Sequence, residues 1–538
     1  MLHWFVFGSV ATACMYYYLT LQNVHSHSSS VIIVGGGLAG LSAALEAYQL
    51  GAHVTLIEKE GRLGGNSAKA TSGMNGVPTK AQELQGIKDT IEKFAKDTEI
   101  SGGQLSDPEL VEVLTRNSKK AIEWVEQFTH GTNLSVLSQC GGHSEPRTHR
   151  FAPQEVGKPA LPVGFGIIKM LSDYAEGLVK LEEEKSSTNE ESRMRILTST
   201  TVLQLLTSNK NLKEKVAGVS IVRTVNGKKE YEELLSDAVI LTTGGFGASA
   251  LIDDVSKSLI REYAPHVVGL PTTNGPWAQG DGVRLAHDPK VGAVLIHMDQ
   301  VQVHPTGFVD LSDPSNPTKF LAPEALRGHG GVLINGKGNR FANELGPRDY
   351  VTQQIFDFCS SESNGLVHPK ALAQPLSLKA ACYLILPEAS VKLFDPSTIK
   401  FYMGKGLMHQ ASNFPELADQ LNLTQEELLK TLTDYDASLH GNHLDPFGKT
   451  VFPSSFLDSE PFYYAVITPS IHYTMGGVQI NSNGQVLRSN GHFIPGLFAA
   501  GEVTGGVHGK NRLAGNSLLE CVVYGRISGA SATRPEFQ

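Results

Sequence analysis

Five basic side chains stand in segments rich in glycine or proline, where loops are expected. They are His304, Arg327, Arg348, His472 and Arg512. Loops held by a rigid scaffold carry a large share of binding and catalytic residues. A guanidinium group binds a carboxylate as a two-pronged donor, and an imidazole adds a single donor. Together the five residues suit a small anion, although each alone is equally typical of a surface arginine or a core histidine.

A glycine pattern near the N-terminus predicts a nucleotide-binding turn. Gly35, Gly37 and Gly40 form G-x-G-x-x-G between a predicted strand, 31–34, and a predicted helix, 41–51. The first glycine permits the tight turn, the second lets a pyrophosphate approach the backbone, and the third lets the helix pack closely on the strand. The helix N-terminus then faces the phosphate groups.

The acidic residue after the next predicted strand narrows the choice of nucleotide. Glu58 lies near the end of the strand predicted over 53–59, 23 residues after Gly35. A carboxylate at this spacing accepts hydrogen bonds from ribose hydroxyl groups. It would repel a 2′-phosphate, so the pattern disfavours NADP and leaves FAD or NAD.

Further glycine clusters favour FAD over NAD, because a buried isoalloxazine ring needs close backbone approach and N–H donors from several segments. These clusters lie at 64–67, 72–75, 243–245, 280–282, 500–502 and 515–519. The predicted cofactor-binding residues are Gly35, Gly37, Ala39, Gly40, Glu58, Lys59, Gly65, Asn66, Ser67, Ser72, Gly73, Met74, Asn75, Val202, Thr243, Gly244, Asp281, Glu502, Arg512, Ser517 and Leu518.

The composition excludes several classes of protein. The chain has 538 residues with a formal net charge of −9, which is ordinary for a globular protein. No basic stripe is available to neutralise phosphates, so a nucleic-acid partner is not expected. The five cysteines are scattered and never spaced C-x-x-C. The sequence therefore predicts no metal site, iron–sulfur cluster or c-type haem.

The order of these patterns predicts an α/β fold with a Rossmann-like FAD-binding domain and an inserted α+β capping domain. Residues 31–300 would form the first part of the FAD-binding domain and residues 472–538 its second part, where the glycine-rich pattern returns. Within the first part, Asn226 and Gly227 predict the tight turn of a β-hairpin. Between the two parts, residues 301–471 lack a regular strand–helix alternation and would form the capping domain that contributes to the substrate site.

Residues 1–30 have the composition of a targeting segment and linker rather than of the fold. The apolar run 4–21 is at the lower length limit of a membrane span, and residues 11–13 offer a small-residue cleavage pattern. A membrane anchor and a signal peptide are both consistent with this segment, as is a misassigned start. The run favours the secretory pathway or a membrane, with the mitochondrion and the cytoplasm as alternatives.

Eight motifs carry a resemblance to a known family. The sequence resembles the soluble, FAD-dependent fumarate reductases, and the fungal type most, over residues 31–530. The resemblance implies reduction of fumarate to succinate by hydride transfer from the flavin. The motifs are VIIVGGGLAGLSAALEA, GGNSAKATSGMNG, GGHSEPRTHR, MDQVQVHPTGF, EALRGHGG, GNRFANELGPRD, HYTMGGVQI and AAGEVTGGVHGKNRLAGNSLLECVVYG.

The resemblance also implies roles for the basic residues at the substrate. His472 and Arg512 would hold one carboxylate group, and His304 would bind the other. Arg348 matches the family's proton donor, refilled through Glu324 and Arg327. A relay is needed because arginine ordinarily keeps its proton, with a pKa above about 12.

Two features depart from relatives or leave alternatives open. Pro323 stands where relatives commonly carry a hydroxyl residue or alanine, so a hydroxyl contact there is lost. No histidine lies between residues 54 and 129, so covalent attachment of FAD through that segment is not expected. Electrons would come from a partner, free reduced flavin or a nicotinamide. The alternative functions are a reductase or dehydrogenase of another unsaturated acid or a ketosteroid, and a non-catalytic flavin-binding protein.

Overall fold

The computed structural model describes residues 28–129, 133–153, 160–186, 192–208 and 215–538. Residues 1–27 of the predicted targeting segment and linker, including the apolar run 4–21, lie outside these residues, and the anchor or signal stays a prediction. Residues 28–30 of the predicted linker are described, and Ser30 already belongs to the first strand. No helix in the described ranges is long and apolar enough to cross a membrane.

The main sheet begins at the predicted nucleotide-binding turn. Strand Ser30–Val34 is an unbroken apolar run after its first residue, and it pairs in parallel with His53–Ile57 on one side and Ala238–Leu241 on the other. Strands buried on both faces read as such runs. Within the described residues this sheet has six strands, parallel except for the first pair. In order they are Gln485–Leu487, Phe493–Ala499, Ala238–Leu241, Ser30–Val34, His53–Ile57 and Met194–Leu197.

The C-terminal helix returns to pack against the first helix of the fold. Helix Asn516–Ala532 lies against helix Leu38–Gln49. Two glycines allow the close approach, because a Cβ on Gly525 would lie 2.6 Å from the Ala39 carbonyl oxygen and one on Gly529 would lie 2.5 Å from that of Ala43. The two ends of the chain thus build one core, and the predicted α/β class is confirmed.

A three-stranded antiparallel sheet projects beside the main sheet. Asn226 and Gly227 form its predicted hairpin turn, with φ of 50° and 76°. Two successive positive φ angles are typical of the tight turns that match the twist of paired strands. The strands are Thr200–Ser208, Lys215–Val225 and Lys228–Leu235.

Residues 301–474 contribute a second, antiparallel sheet that faces the first core. Its longest strand, Phe462–Thr474, passes through the predicted domain boundary at 471 and joins the two cores. Among described residues, one apolar cluster uses residues 31–298 and 471–532, whereas two others use residues 308–467. The strands of the second sheet are Val301–Phe308, Phe320–Leu321, Val332–Ile334, Cys382–Pro387, His409–Ala411 and Phe462–Thr474.

Short strands and helices complete the described structure. Two small sheets contain Met74–Asn75, Val136–Ser138 and Thr148–Arg150, and Leu295–Ile296, Gly477–Gln479 and Thr504–Gly505. The α-helices are Leu38–Gln49, Lys80–Leu84, Ile91–Ser101, Pro108–Arg116, Ser118–Glu126, Val163–Ser186, Leu259–Tyr263, Asp281–His287, Glu324–Gly328, Arg348–Phe358, Glu388–Phe394, Pro396–Gly404, Phe414–Leu421, Gln425–Leu439 and Asn516–Ala532.

Candidate active site

A cavity of about 1520 Å³ lies between the main sheet and the second sheet. It runs from the first glycine turn to the basic residues, so both groups of predicted residues meet in one space. The predicted residues that line it are Gly35, Gly37, Ala39, Glu58, Lys59, Gly65, Asn66, Ser67, Ser72, Gly73, Val202, Thr243, Gly244, Asp281, Glu324, Arg348, His472, Glu502, Arg512, Ser517 and Leu518.

The glycine turn forms one end of the cavity. Gly35 has φ of 111°, which glycine adopts readily, and a Cβ on Gly40 would overlap the carbonyl oxygen of Gly35. A Cβ on Gly37 would make only ordinary van der Waals contacts, the nearest with Ser67 Oγ at 3.8 Å. Gly40 therefore sets the helix against the strand, while Gly37 leaves room for a ligand at the helix N-terminus.

Glu58 braces this turn from the neighbouring strand. Its Oε2 accepts a hydrogen bond from the Gly36 N–H at 2.7 Å, and its Oε1 accepts one from the Glu60 N–H at 2.8 Å. Burial raises the pKa of Glu58 above its ordinary value. Lys59 is turned away from this group, because its ammonium pairs with Asp281 at 2.5 Å. The carboxylate of Glu58 is thus held in place at the cavity wall.

Glu502 lies at the middle of the cavity beside the second sheet. Its Oε1 accepts hydrogen bonds from the Thr474 N–H at 3.0 Å and the Thr474 hydroxyl at 3.2 Å. Burial raises the pKa of Glu502 to about 7. This carboxyl group therefore carries a proton for part of the time near neutral pH and is able to donate as well as accept.

Arg348 and Glu324 form an ion pair at the other end of the cavity. Each is the first residue of a helix and follows a proline, Pro347 or Pro323. Arg348 Nε donates to Glu324 Oε2 at 3.1 Å, and Arg348 Nη1 donates to Gln302 Oε1 at 3.0 Å. Burial alone would raise the pKa of Glu324, but the charges of Arg348 and Arg327 outweigh it and hold that pKa below its ordinary value.

Arg512 is the second guanidinium group at this end. It is 5% exposed, it lies 4.5 Å from the centre of the Tyr473 ring, and within the described part of the chain it makes no ion pair with a carboxylate. Burial, followed by the charge of Arg348, lowers the pKa of Arg512 to about 10. The charges of Glu502 and Glu520 offset only part of this effect. A buried cation without a direct carboxylate partner is costly, so this end of the cavity favours an anion.

Two histidines stand ring against ring near Arg512. The rings of His304 and His472 are 5.2 Å apart, and burial lowers the pKa of both well below its ordinary value. His304 Nδ1 accepts the Thr306 N–H at 3.2 Å, which leaves the proton on Nε2. That buried Nε2 has no hydrogen-bond partner among the described residues. Both imidazoles are therefore neutral rather than charged, and His304 carries its donor on Nε2.

The structure places five predicted residues behind the cavity wall instead of on it: Gly40, Met74, Asn75, His304 and Arg327. The amide of Asn75 is occupied, because its Nδ2 donates to the Ala514 carbonyl and the Asn516 side chain, both at 2.7 Å. Arg327 donates through Nη1 to the Glu344 carbonyl oxygen, and its Nε and Nη2 have no partner among the described residues. These residues support the wall or lie one layer behind it.

Sequence reasoning missed several residues that organise the basic end: Gln302, Thr273, Lys69, Gly141 and Glu344. Gln302 accepts from Arg348 and donates to the Arg512 carbonyl oxygen at 3.0 Å, so it bridges the two arginines. Thr273 Oγ1 lies 2.8 Å from His472 Nδ1. Lys69 lines the cavity, donates to the Thr273 carbonyl oxygen at 2.6 Å, and has a pKa lowered by burial to about 8. The sequence offers one sign of such contacts: Gln302 and His304 are two residues apart on one strand, so their side chains lie on the same face.

The residues of the cavity fit FAD. Gly37 precedes a helix N-terminus at the cavity wall, and Gly244 has φ of 74° with no atom within 4 Å of the place that a Cβ would take. Such backbone is where a pyrophosphate and a flat ring approach closely. Asn66, Ser67, Glu58 and Glu502 supply polar groups along the same wall.

Comparison with known proteins identifies the family. The family described as FAD binding domain matches residues 30–518. Fumarate reductase of Schizosaccharomyces pombe is 38% identical, covering 94% of this chain and 90% of its own length. Fumarate reductase 1 of Saccharomyces cerevisiae is 39% identical, covering 94% and 98%. The open conformation of a flavocytochrome c3 fumarate reductase matches with a TM-score of 0.70 and 31% identity, covering 95% of this chain and 79% of that one. The chain therefore belongs to the FAD-binding family that includes the fungal fumarate reductases.

Proposed function

We propose that this protein is an FAD-dependent enzyme that reduces fumarate to succinate. One observation carries the proposal: two buried guanidinium groups, Arg348 and Arg512, face one end of the cavity, and only Arg348 has a carboxylate partner in the described structure. A dicarboxylate would supply the missing negative charge. The relatives named fumarate reductases match nearly the whole chain and support the same substrate.

The two ends of the substrate would meet different donors. Arg512 binds one carboxylate as a two-pronged donor, and His472 adds a single hydrogen bond. Thr273 supports His472 from behind through its hydroxyl at 2.8 Å. His304 lies one layer behind the described cavity wall, so its Nε2, the buried atom without a described partner, would donate to the other carboxylate once that wall opens. Fixed donors at both ends hold the alkene in one orientation and polarise it for attack.

Arg348 would deliver the proton. Its guanidinium group is held between Glu324 at 3.1 Å and Gln302 at 3.0 Å, which fixes the direction of its remaining N–H groups. Glu324 is ionised at neutral pH, so it would first accept a proton from the side of Arg327 and then pass it to Arg348 after that guanidinium has given its own proton to the substrate. Arg327 follows Glu324 by about one turn in the same short helix and would pass protons toward it. With this relay, Arg348 would regain its proton at once and would not remain neutral.

Bound FAD in its reduced form supplies the hydride to the other alkene carbon. We infer that FAD is held without a covalent bond, in agreement with the absence of a histidine from residues 54–129. Free reduced flavin, or another external donor, would return electrons to the enzyme. Residues 301–471 would act as a capping domain that excludes water during the reaction.

Anaerobic reoxidation of the flavin tests the proposal. The enzyme is reduced with dithionite and mixed with fumarate, with urocanate or with buffer, and the flavin absorbance is followed. We expect fast reoxidation by fumarate alone, and loss of this reaction in Arg348→Ala with FAD still bound. Equal rates with buffer and fumarate contradict the proposal, and faster oxidation by urocanate assigns a different unsaturated acid.

A further inference from the structure

A short loop from the FAD-binding core contacts the proton relay on the opposite wall. This segment, residues 139–143, is the Gly141 loop. The Gly141 N–H donates to Glu324 Oε1 at 2.7 Å, across 183 residues of chain. Arg348 Nε donates to the other oxygen, Oε2, at 3.1 Å. Each oxygen of the Glu324 carboxylate therefore has its own donor, and the two donors approach from different walls of the cavity.

Only glycine leaves room for this contact. A Cβ on residue 141 would lie 2.8 Å from Glu324 Oε1, closer than ordinary van der Waals contact. The backbone of Gly141 is not in the left-handed region, unlike that of Gly142 with φ of 82°. Alanine at position 141 would therefore keep the backbone and disturb mainly the carboxylate of Glu324.

The Gly141 loop is also tied to the segment that carries Arg512. Burial lowers the pKa of His143 to about 4, so its imidazole is neutral and Nε2–H donates to the Ala514 carbonyl oxygen at 2.9 Å. Within the loop, Gln139 Nε2 donates to the His143 carbonyl oxygen at 2.7 Å. One short segment thus connects the proposed carboxylate-binding arginine with the proposed relay carboxylate.

We propose that the Gly141 N–H is a positioning group for proton delivery, and this inference rests on the proposed function. The amide fixes the Glu324 carboxylate at the distance from Arg348 at which a proton passes between them. No proton leaves the amide itself. The Gly141 loop is anchored beside Arg512, which would bind a carboxylate of the substrate. The position of Glu324 is therefore fixed relative to the bound substrate and not only by the helix that carries Glu324.

Gly141→Ala tests this positioning in the FAD-loaded, full-length enzyme. We expect kcat for fumarate to fall about 10- to 100-fold, the loss typical of one hydrogen bond to a charged group. The KM for fumarate should stay within about 2-fold, because no carboxylate-binding residue has moved. The solvent deuterium isotope effect on kcat should rise, because proton delivery becomes slower. Gly177→Ala, on a helix with open space at the added Cβ, is the matched control.

A double-mutant cycle separates positioning from general damage. In the Glu324→Gln background, Gly141→Ala should change kcat by less than about 2-fold, because the group that it positions is already lost. An equal fall in both backgrounds overturns the proposal, as does a raised KM with kcat unchanged.

His143→Leu provides a second route to the same conclusion, since it removes the hydrogen bond to the Ala514 carbonyl oxygen and loosens the Gly141 loop without placing an atom near Glu324. We expect a larger solvent isotope effect here too, and an unchanged one contradicts the proposal. If the unaltered enzyme does not turn over fumarate, the proposed function fails first, and the two failures are distinguishable.

Discussion

The two ends of the cavity bind by different physical means. At the glycine turn, the wall consists of backbone with one braced carboxylate, Glu58, and with Gly37 before a helix N-terminus. At the basic end, the wall consists of charged side chains, and Arg348 and Arg512 are held by hydrogen bonds from distant segments. The first end offers shape and dipoles, whereas the second offers charge.

This difference determines what supports each end. Backbone dipoles are built by the strand, turn and helix themselves and need no further partner. Buried side-chain charges need partners, because desolvation penalises each of them. The basic end accordingly rests on a second layer of charge, in which Glu344 accepts from Arg340 at 2.9 and 3.0 Å and from Lys449 at 2.9 Å. The carbonyl oxygen of Glu344 in turn accepts from Arg327.

The largest effect should come from removing the proposed proton donor. Arg348→Met keeps much of the side-chain volume and removes the donor, so we expect kcat for fumarate to fall on the order of 10³-fold, within the range of general acid catalysis. FAD should remain bound with an unchanged absorbance spectrum, because the glycine turn does not depend on Arg348. Steady-state kinetics and the flavin spectrum check both statements. A variant that loses FAD and activity together would show that the two ends are not independent.

The charge layer behind the basic end should make stability depend on pH. The charges of Lys449 and Arg340 overcome burial and lower the pKa of Glu344 from 4.5 to about 2. A lowered carboxyl pKa contributes stability that is present above the unfolded value and is lost as pH falls through the folded value. The contribution of Glu344 is therefore present in full above about pH 5 and decreases below it.

Glu344→Gln measures this contribution. We expect urea unfolding of the variant at pH 7 to occur at lower denaturant concentration than in the unaltered protein. Between pH 5 and pH 3 the difference between the two proteins should shrink, because the unaltered protein loses what the variant already lacks. A difference that stays constant over this pH range would rule out Glu344 as the titrating group.

The same contrast explains what the sequence predicted. The first βαβ unit is local, so the spacing of Gly35, Gly40 and Glu58 was enough to predict the turn, the helix and the carboxylate. Asn226 and Gly227 likewise predicted their hairpin, because a tight turn depends on its own two residues. The predicted α/β class and FAD as the cofactor are confirmed.

The hydrogen bonds at the basic end could not be predicted from the sequence, because they join distant segments. Gly141 and Glu324 are 183 residues apart, and Thr273 and His472 are 199 residues apart. No local pattern marks Gln302 as the bridge between two arginines. The roles of the basic residues came from the family resemblance, and they stay predictions until the variants are measured.

At the glycine turn, Glu58→Gln should weaken FAD binding by about 10-fold, because a charge-assisted hydrogen bond is exchanged for a weaker one. In the present structure the N–H groups of Gly36 and Glu60 each donate to one oxygen of the carboxylate. The amide nitrogen of the new glutamine side chain would face one of these two N–H groups. Titration of the apoprotein with FAD, followed by flavin fluorescence, gives the dissociation constant. At saturating FAD the KM for fumarate should not change. Glu60→Gln, an exposed neighbour, is the control, and an equal loss of affinity there would assign the effect to general charge.

The smallest effect is expected at Thr273, whose hydroxyl contacts the basic end through His472. Thr273→Val keeps the shape and removes the hydroxyl that lies 2.8 Å from His472 Nδ1. We expect the KM for fumarate to rise about 3-fold with kcat nearly unchanged, the size of one neutral hydrogen bond. Thr468→Val is the matched control, because its buried hydroxyl donates to the Ala380 carbonyl oxygen and does not line the cavity. A change in FAD affinity instead of KM would show that His472 contacts the cofactor rather than the substrate. His472 would then belong to the cofactor end of the cavity and not to the basic end.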